Sequence, residues 1–371
     1  MATKTLIVIF QRGGMDGLNA LVPHADGHYY DLRPAIAVGE PGSADGALDL
    51  DGYFGLHPAL APLKPLYDGG WLAAVHATGG PDLDRSHFSA QAGMEIASGG
   101  AIGGWVGRHL LATAGAGRSG RRIRAISIGT ALDQALAGSP DSAAVASSAD
   151  FRIRSREPEL WEAALPLLHA GIADGYVAQG ERVFSVLDAF RELRPHEIEP
   201  AADASYPAGA FGRAMLQAAQ YIKSGLGIEA IGINLGGWDH HANEGNALPP
   251  KLQELAQGMA ALRTDLAERF DDVVVVTMSE FGRRAAENAA QGTDHGSGNA
   301  MFILGGRVNG GRVIADWPGL QSAALDDGAL RITTDYRNVL GEILSQGFGN
   351  PDVGSVFPGV RAASALALIR G

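Results

Sequence analysis

The run Val273-Val-Val-Val-Thr277 constrains this chain more than any other feature. Consecutive β-branched residues with no polar face form a strand that has to be covered on both sides, the position of a central strand in a parallel sheet. Leu6–Phe10 is a second apolar run, and it opens onto a Gly-rich turn, Gln11-Arg-Gly-Gly-Met-Asp-Gly17. Gly70–His76, Arg122–Ile128, Ile228–Asn234 and Ala300–Leu304 read as further strands. Helical spacing falls between them at 57–67, 86–97, 105–113, 250–270 and 336–345. Strands alternating with helices imply an α/β fold, a mostly parallel central sheet sandwiched between helices. Residues 157–226 read as helical, with breaks near Pro195 and Pro207. They are expected to form an insertion or cap on a single domain spanning 1–371.

Composition excludes several functions. With 41 acidic and 29 basic residues, the net charge is −12. A general nucleic-acid binder needs a basic surface to neutralise phosphates, so nucleic acid is not an expected partner. A small anionic substrate remains compatible, because a bound metal ion makes a local site positive. The chain has no cysteine, which rules out disulfides, iron–sulfur centres and a thiol nucleophile. No run reaches the roughly 18 apolar residues of a membrane span. Residues 1–10 read as a strand and lack the long apolar region and cleavage site of a signal peptide.

Three polar clusters flank the predicted strands: Gly236-Gly-Trp-Asp-His-His-Ala-Asn243, Ser279-Glu-Phe-Gly-Arg-Arg284 and Gly292-Thr-Asp-His-Gly-Ser-Gly298. Open α/β sheets place ligands at strand carboxyl ends. Asp, Glu and His offer oxygen and imidazole ligands to a divalent ion, and glycines let the backbone turn around it. Any single Asp-His pair is equally a capping contact, but three clusters within one short stretch favour a shared site. The metal-ligand candidates are Asp239, His241, Glu280, Asp294 and His295. Asp239 and His241 are two apart and face one side of an extended segment, with His240 turned away. Asp294 is expected to orient His295 or to bind a second ion. Asp16 is a further candidate, although Asp-Gly is also a common turn pair. His24, His28 and His57 read as structural or surface residues.

A fourth cluster, Asp84-Arg-Ser-His-Phe-Ser-Ala-Gln91, opens a helix. Ser86 is either a helix cap or a nucleophile favoured by the helix N-terminus and a metal. Arg85 could hold an anionic group through its planar fork. With His87, these residues form the catalytic candidates. Gly115-Ala-Gly-Arg-Ser-Gly120 matches a dinucleotide-binding pattern, but it follows a helix and precedes a strand, so the phosphate-binding mechanism fails there.

Taken with Phe10–Gly17, these pieces resemble the bacterial family DUF1501 over nearly the whole chain. That family in turn looks like a distant branch of the alkaline phosphatase and sulfatase superfamily. The resemblance implies a parallel sheet between helices, and metal ions held by Asp and His at strand ends. It further implies a Ser or Thr nucleophile at a helix start, here Ser86. Family members commonly carry twin-arginine export leaders, which implies a periplasmic or secreted home. This chain departs from the superfamily at Phe281, where a histidine ligand would follow the carboxylate. Two readings result. One is a hydrolase of a phosphate or sulfate ester, dependent on zinc, calcium or magnesium, with Ser86 or a metal-bound water as nucleophile. The other is a non-catalytic metal- or ligand-binding protein on the same scaffold, and a polar network without an ion is the bland version of the site.

Overall fold

The structure, a computed structural model, describes residues 3–81, 84–114, 123–153, 155–169, 174–360 and 365–371. The apolar runs all enter one sheet. Its strands in chain order are β1 (Thr5–Arg12), β2 (Leu72–Gly79), β3 (Ala125–Ser127), β4 (Ser142–Ala144), β5 (Ala230–Gly236), β6 (Val273–Met278), β7 (Asn299–Gly305), β8 (Arg312–Ile314) and β9 (Thr334–Asp335). Across the sheet the order is β8-β2-β7-β6-β1-β5-β3-β4, with β9 beside β2. β1 is parallel to β5 on one side and β6 on the other, and β3 is parallel to β5 and β4. β7 runs antiparallel to both of its neighbours, β2 and β6. The sheet is therefore mostly parallel, as the alternation of strands and helices predicts.

Successive side chains of a strand point to opposite faces, and here both faces are buried. Ile7 and Ile9 of β1 join Ile231, Ile233 and Val275 in one core. Leu6, Val8 and Phe10 join Val274, Val276 and Met278 in the other. The Ala210–Ser224 and Glu244–Leu266 helices cover the first face through residues such as Met215, Leu252 and Leu255. The Trp105–Ala112 and Tyr336–Glu342 helices cover the second through Trp105, Leu110, Val339 and Leu340.

Within 157–226 the chain forms helices at Pro158–His169, Asp174–Leu193 and Ala210–Ser224. The helix expected at 250–270 begins earlier, at Glu244, and continues through Pro249 and Pro250. Prolines inside a helix remove backbone hydrogen bonds, but Leu248, Leu252 and Leu255 are buried in the core and hold the segment helical. Residues 115–120, the rejected dinucleotide pattern, lie outside the described residues.

The topology matters most at one edge. The carboxyl ends of β1, β2, β5 and β6 meet there. Because β7 runs backwards, its amino end lies at the same edge, beside the end of β6. The connection 279–298 therefore never crosses the sheet.

Candidate metal centre

Four loops converge on that edge. The 279–298 connection folds back as a narrow hairpin: Gly282 donates to the Ser297 carbonyl at 3.0 Å, Gly296 to Gly282 at 2.8 Å and Arg284 to Asp294 at 2.9 Å. Arg283 and His295 pair across it. His295 thus stands over Phe281, with ring centroids 4.7 Å apart. The His87–Ile96 helix starts at the same place and lays His87 against Phe281 at 5.0 Å and His295 at 4.4 Å. Phe281, the residue after Glu280, thus forms an aromatic floor, and His87 reaches the cluster from the helix start.

The imidazoles surround one carboxylate. His295 Nε2 lies 3.2 Å from Asp239 Oδ1, His241 Nε2 lies 2.9 Å from the same oxygen, and His87 Nε2 lies 3.3 Å from Asp239 Oδ2. His241 Nε2 and His295 Nε2 are 3.0 Å apart. The opposite nitrogen of each ring is engaged by an acceptor. His87 Nδ1 meets Glu280 Oε1 at 2.8 Å, His241 Nδ1 meets Asp294 Oδ1 at 3.2 Å, and His295 Nδ1 meets the Arg85 carbonyl at 2.7 Å. Ionised carboxylates and carbonyls only accept, so each Nδ1 donates, and any ring carrying that one proton alone turns the Nε2 lone pair inward. Inward lone pairs facing one another and a carboxylate repel unless a cation or extra protons lie between them. The buried His87 Nε2 indeed has no hydrogen-bond partner.

This donor set fits a zinc-like ion. Tetrahedral coordination with metal–ligand bonds of about 2.0–2.1 Å separates ligand atoms by roughly 3.4 Å. The distances from His241 and His295 to Asp239 Oδ1, from His87 to Asp239 Oδ2 and between His241 and His295 run from 2.9 to 3.3 Å. Ligand atoms of His87, Asp239 and His295 all lie within 4.8 Å of one another. Imidazole nitrogens suit zinc better than calcium or magnesium, which prefer oxygen.

Asp239 is held in its ionised form. Burial raises its carboxyl, but the Arg283 hydrogen bond and charge, with His241 and His295, bring it down to about 2. Arg283 itself is fully buried. It donates to the carbonyls of Gly13, of Gly14 at 2.6 Å, of Thr293 at 3.0 Å and of Trp238 at 3.1 Å, and to Asp239 Oδ1 at 2.7 Å. One guanidinium thereby ties the loops after β1, β5 and β6 together. Gly13 is required beneath it: its φ is +123°, and a Cβ would come within 2.8 Å of the Asp239 nitrogen.

The remaining expected residues fall around this cluster in different ways. Glu280 is buried and sits behind His87, accepting also from Gly13 N and Gln91 Nε2 at 2.8 Å each. Burial raises its carboxyl, and the Gln91, His87 and backbone hydrogen bonds outweigh that and lower it. Asp294 is exposed and orients His241; the Asn288 hydrogen bond, ahead of His241, lowers its carboxyl. Asp16 is not brought to the cluster. It caps the turn Gly17–Ala20 and pairs with buried Arg33 at 2.6 Å, so its oxygens are already taken. Ser86 occupies the N-cap position of the His87–Ile96 helix, yet its side chain makes no capping hydrogen bond and the residue is exposed. Arg85 contributes its carbonyl to His295 and points its guanidinium to Asp327.

Residues 239–241 are not extended, since His241 N bonds the Asp239 carbonyl at 3.2 Å, but the two side chains still meet. His24, His28 and His57 make local contacts with Asp49, Asp26 and Ala59. Sequence reasoning missed the roles of Arg283 and Gln91, and of His87 as part of the ligand cluster. Arg283 stood inside a quoted motif. No local signal marks a buried arginine whose acceptors lie in two distant loops as well as in its own hairpin. Beside Glu280 and the start of the helix, a groove of about 540 Å³ opens between Gly80, Asp84, Gly93 and Tyr336.

Comparison with known proteins gives one family. The profile described as "Protein of unknown function (DUF1501)" matches residues 69–339. No curated protein matches this chain. Among solved structures, the alkaline phosphatase from the Antarctic bacterium TAB5 aligns at 11% identity and a TM-score of 0.33. The alignment covers 85% of this chain and 95% of that one. A superposition this loose carries no inference about chemistry.

Proposed function

The chain belongs to the DUF1501 family, and for it we propose a metal-dependent hydrolase acting on a phosphate or sulfate ester, with Ser86 or a water as nucleophile. One observation carries the reading: His87, His241 and His295 each have Nδ1 engaged and Nε2 turned toward Asp239. Metal-ligating histidines show this arrangement, in which an outer acceptor sets the tautomer and the inner nitrogen binds.

His87, Asp239 and His295 would hold the ion, with His241 beside them. A divalent ion there supplies Lewis acidity to an ester oxygen and makes a nearby hydroxyl more acidic. The chain's own residues do the rest. Glu280, Asp294 and the Arg85 carbonyl hold the imidazoles in register. The exposed Ser86 hydroxyl stands at a helix N-terminus, whose dipole favours an alkoxide. The groove beside Glu280 offers room for the group the ester carries. The family resemblance supports a periplasmic or secreted location. Among the described residues, no helix is long and apolar enough to cross a membrane.

The test has two stages. Elemental analysis of protein dialysed against zinc is expected to show a stoichiometric ion, lost in the double variant Asp239→Ala with His295→Ala while circular dichroism is retained. The loaded protein is then assayed on a panel of phosphate and sulfate monoesters and diesters. Unchanged ion content in the double variant overturns the centre. A loaded protein that turns over none of the panel overturns the hydrolase and leaves a metal-binding protein.

A further inference from the structure

Just outside the imidazole cluster, two guanidinium groups share one carboxylate. Arg85 Nη1 donates to Asp327 Oδ2 at 2.7 Å, and Arg284 Nη2 lies 3.3 Å from the same oxygen. Both arginines are tied to the centre by their backbones. The Arg85 carbonyl accepts from His295 Nδ1, and Arg284 N donates to the Asp294 carbonyl at 2.9 Å. Arg85 also reaches Ser297 Oγ at 3.4 Å.

Asp327 comes from a distant part of the chain. It occupies the tip of a two-residue turn with Gly328, both at positive φ, 47° and 72°. Asp326 and Ala329 close that turn with reciprocal backbone hydrogen bonds of 2.9 and 3.0 Å. Ala285 N binds the Gly328 carbonyl at 3.0 Å, fixing the turn beside Arg284. Asp-Gly is the residue pair such a turn favours. The turn is held while the carboxylate it presents is 70% exposed. Two guanidinium groups thus face one solvated carboxylate beside the candidate centre, and the Arg284 charge also acts on the Asp294 carboxylate.

We propose that Arg85 and Arg284 form an anion subsite in which Asp327 stands in for an oxyanionic group of the substrate. A phosphate or sulfate group entering from solvent displaces the Asp327 carboxylate by rotation of its side chain and accepts from both forks, the geometry guanidinium groups favour for such oxyanions. This deepens the ester-hydrolase reading and rests on it for the substrate's identity, but not for binding. It predicts a substrate with an anionic group besides the ester at the centre, seated on the side of the His295 ring away from Asp239.

The experiment measures inorganic phosphate and sulfate binding by calorimetry on chelator-treated protein, so that it does not depend on the metal. Asp327→Asn retains a residue that favours the turn and removes the competing charge. It is expected to tighten phosphate binding by about fivefold, because one exposed ion-pair competitor is lost. Adding Arg284→Gln is expected to cancel that gain. Phosphate affinity unchanged by Asp327→Asn overturns the subsite, and so does a gain that Arg284→Gln leaves intact. Tightening seen only after zinc is restored places the anion on the ion and overturns it as well. Absence of zinc binding leaves the phosphate result standing, so failure of the metal reading and failure of the subsite are separable.

Discussion

At the scale of single residues, the centre depends on groups that never face solvent. Arg283 is the clearest, because its donors hold carbonyls from three loops that have no other common partner in the hydrogen bonds above. Arg283→Lys keeps the charge but not the fork. It is expected to cost about 3 kcal/mol of stability by urea denaturation, the range for breaking a buried charged network. A second buried group lies deeper. Glu244 accepts from Thr293 Oγ1 at 2.7 Å and neighbours the Asp16–Arg33 pair. Burial, then the Asp16 charge, pushes the Glu244 carboxyl well above its ordinary value. Burial likewise raises Asp16, but the Arg33 charge outweighs it and Asp16 is lowered. A raised group contributes stability that is complete below its unfolded value and lost as pH rises through its folded value. A lowered group contributes stability above its unfolded value and loses it as pH falls through its folded value. The two therefore act on opposite limbs. Glu244→Gln cannot ionise, so its thermal midpoint is expected to fall less than the parent's as pH is raised from the ordinary carboxyl value of 4.5. Parallel curves for the two proteins would show that Glu244 does not titrate in the fold.

At the scale of elements, the turn after β1 and the hairpin before β7 act as one clamp. Gly13 N holds Glu280, the Gly13 carbonyl holds Arg283, and Gly13 packs on the Asp239 backbone. Gly13→Ala meets both a disfavoured φ and a backbone collision. It is expected to lower stability by about 2 kcal/mol. It should also abolish zinc uptake, because Asp239 must move. A variant that loses stability yet binds zinc normally would separate the turn from the centre. The sequence showed the turn as a glycine-rich loop after a strand. That glycine serves a close approach to residue 239 could not be read there, since the two positions meet only when β1 and β5 pair.

At the scale of the whole molecule, an ion that binds only the folded state stabilises it by mass action. Free zinc at about 100 times its dissociation constant would add about 2.7 kcal/mol. The thermal midpoint is expected to climb steadily with zinc in the parent protein and to stay flat in the Asp239→Ala, His295→Ala variant. An equal climb in both would mean that zinc binds elsewhere. The coupling follows from the architecture: the candidate ligands come from the ends of β2, β5 and β6 and the start of β7, so an unfolded chain has no site to offer.

What the sequence determined by itself is what depends on near neighbours. Apolar runs such as Val273–Thr277 have to be buried wherever they lie, so the main strands and the α/β class were legible. Polar residues gathered at strand ends marked Asp239, His241, Glu280 and His295 as candidates. β4, β8 and β9 are too short to carry a period and were not legible, whereas β3, also three residues, was read from the longer alternating run Arg122–Ile128 around it. Tertiary structure alone decided the rest. It turned β7 antiparallel, and only that reversal brings a residue preceding β7 to the edge where β1, β5 and β6 end. It set His87 in the ligand cluster, where the reading of Phe281 had left a histidine missing, because the helix start and the hairpin pack across the same aromatic ring. It drew Asp16 away to Arg33, since a buried carboxylate takes the nearest buried cation. Each of these outcomes rests on contacts between residues far apart in the chain, and the period of a strand or the spacing of a motif holds no record of them.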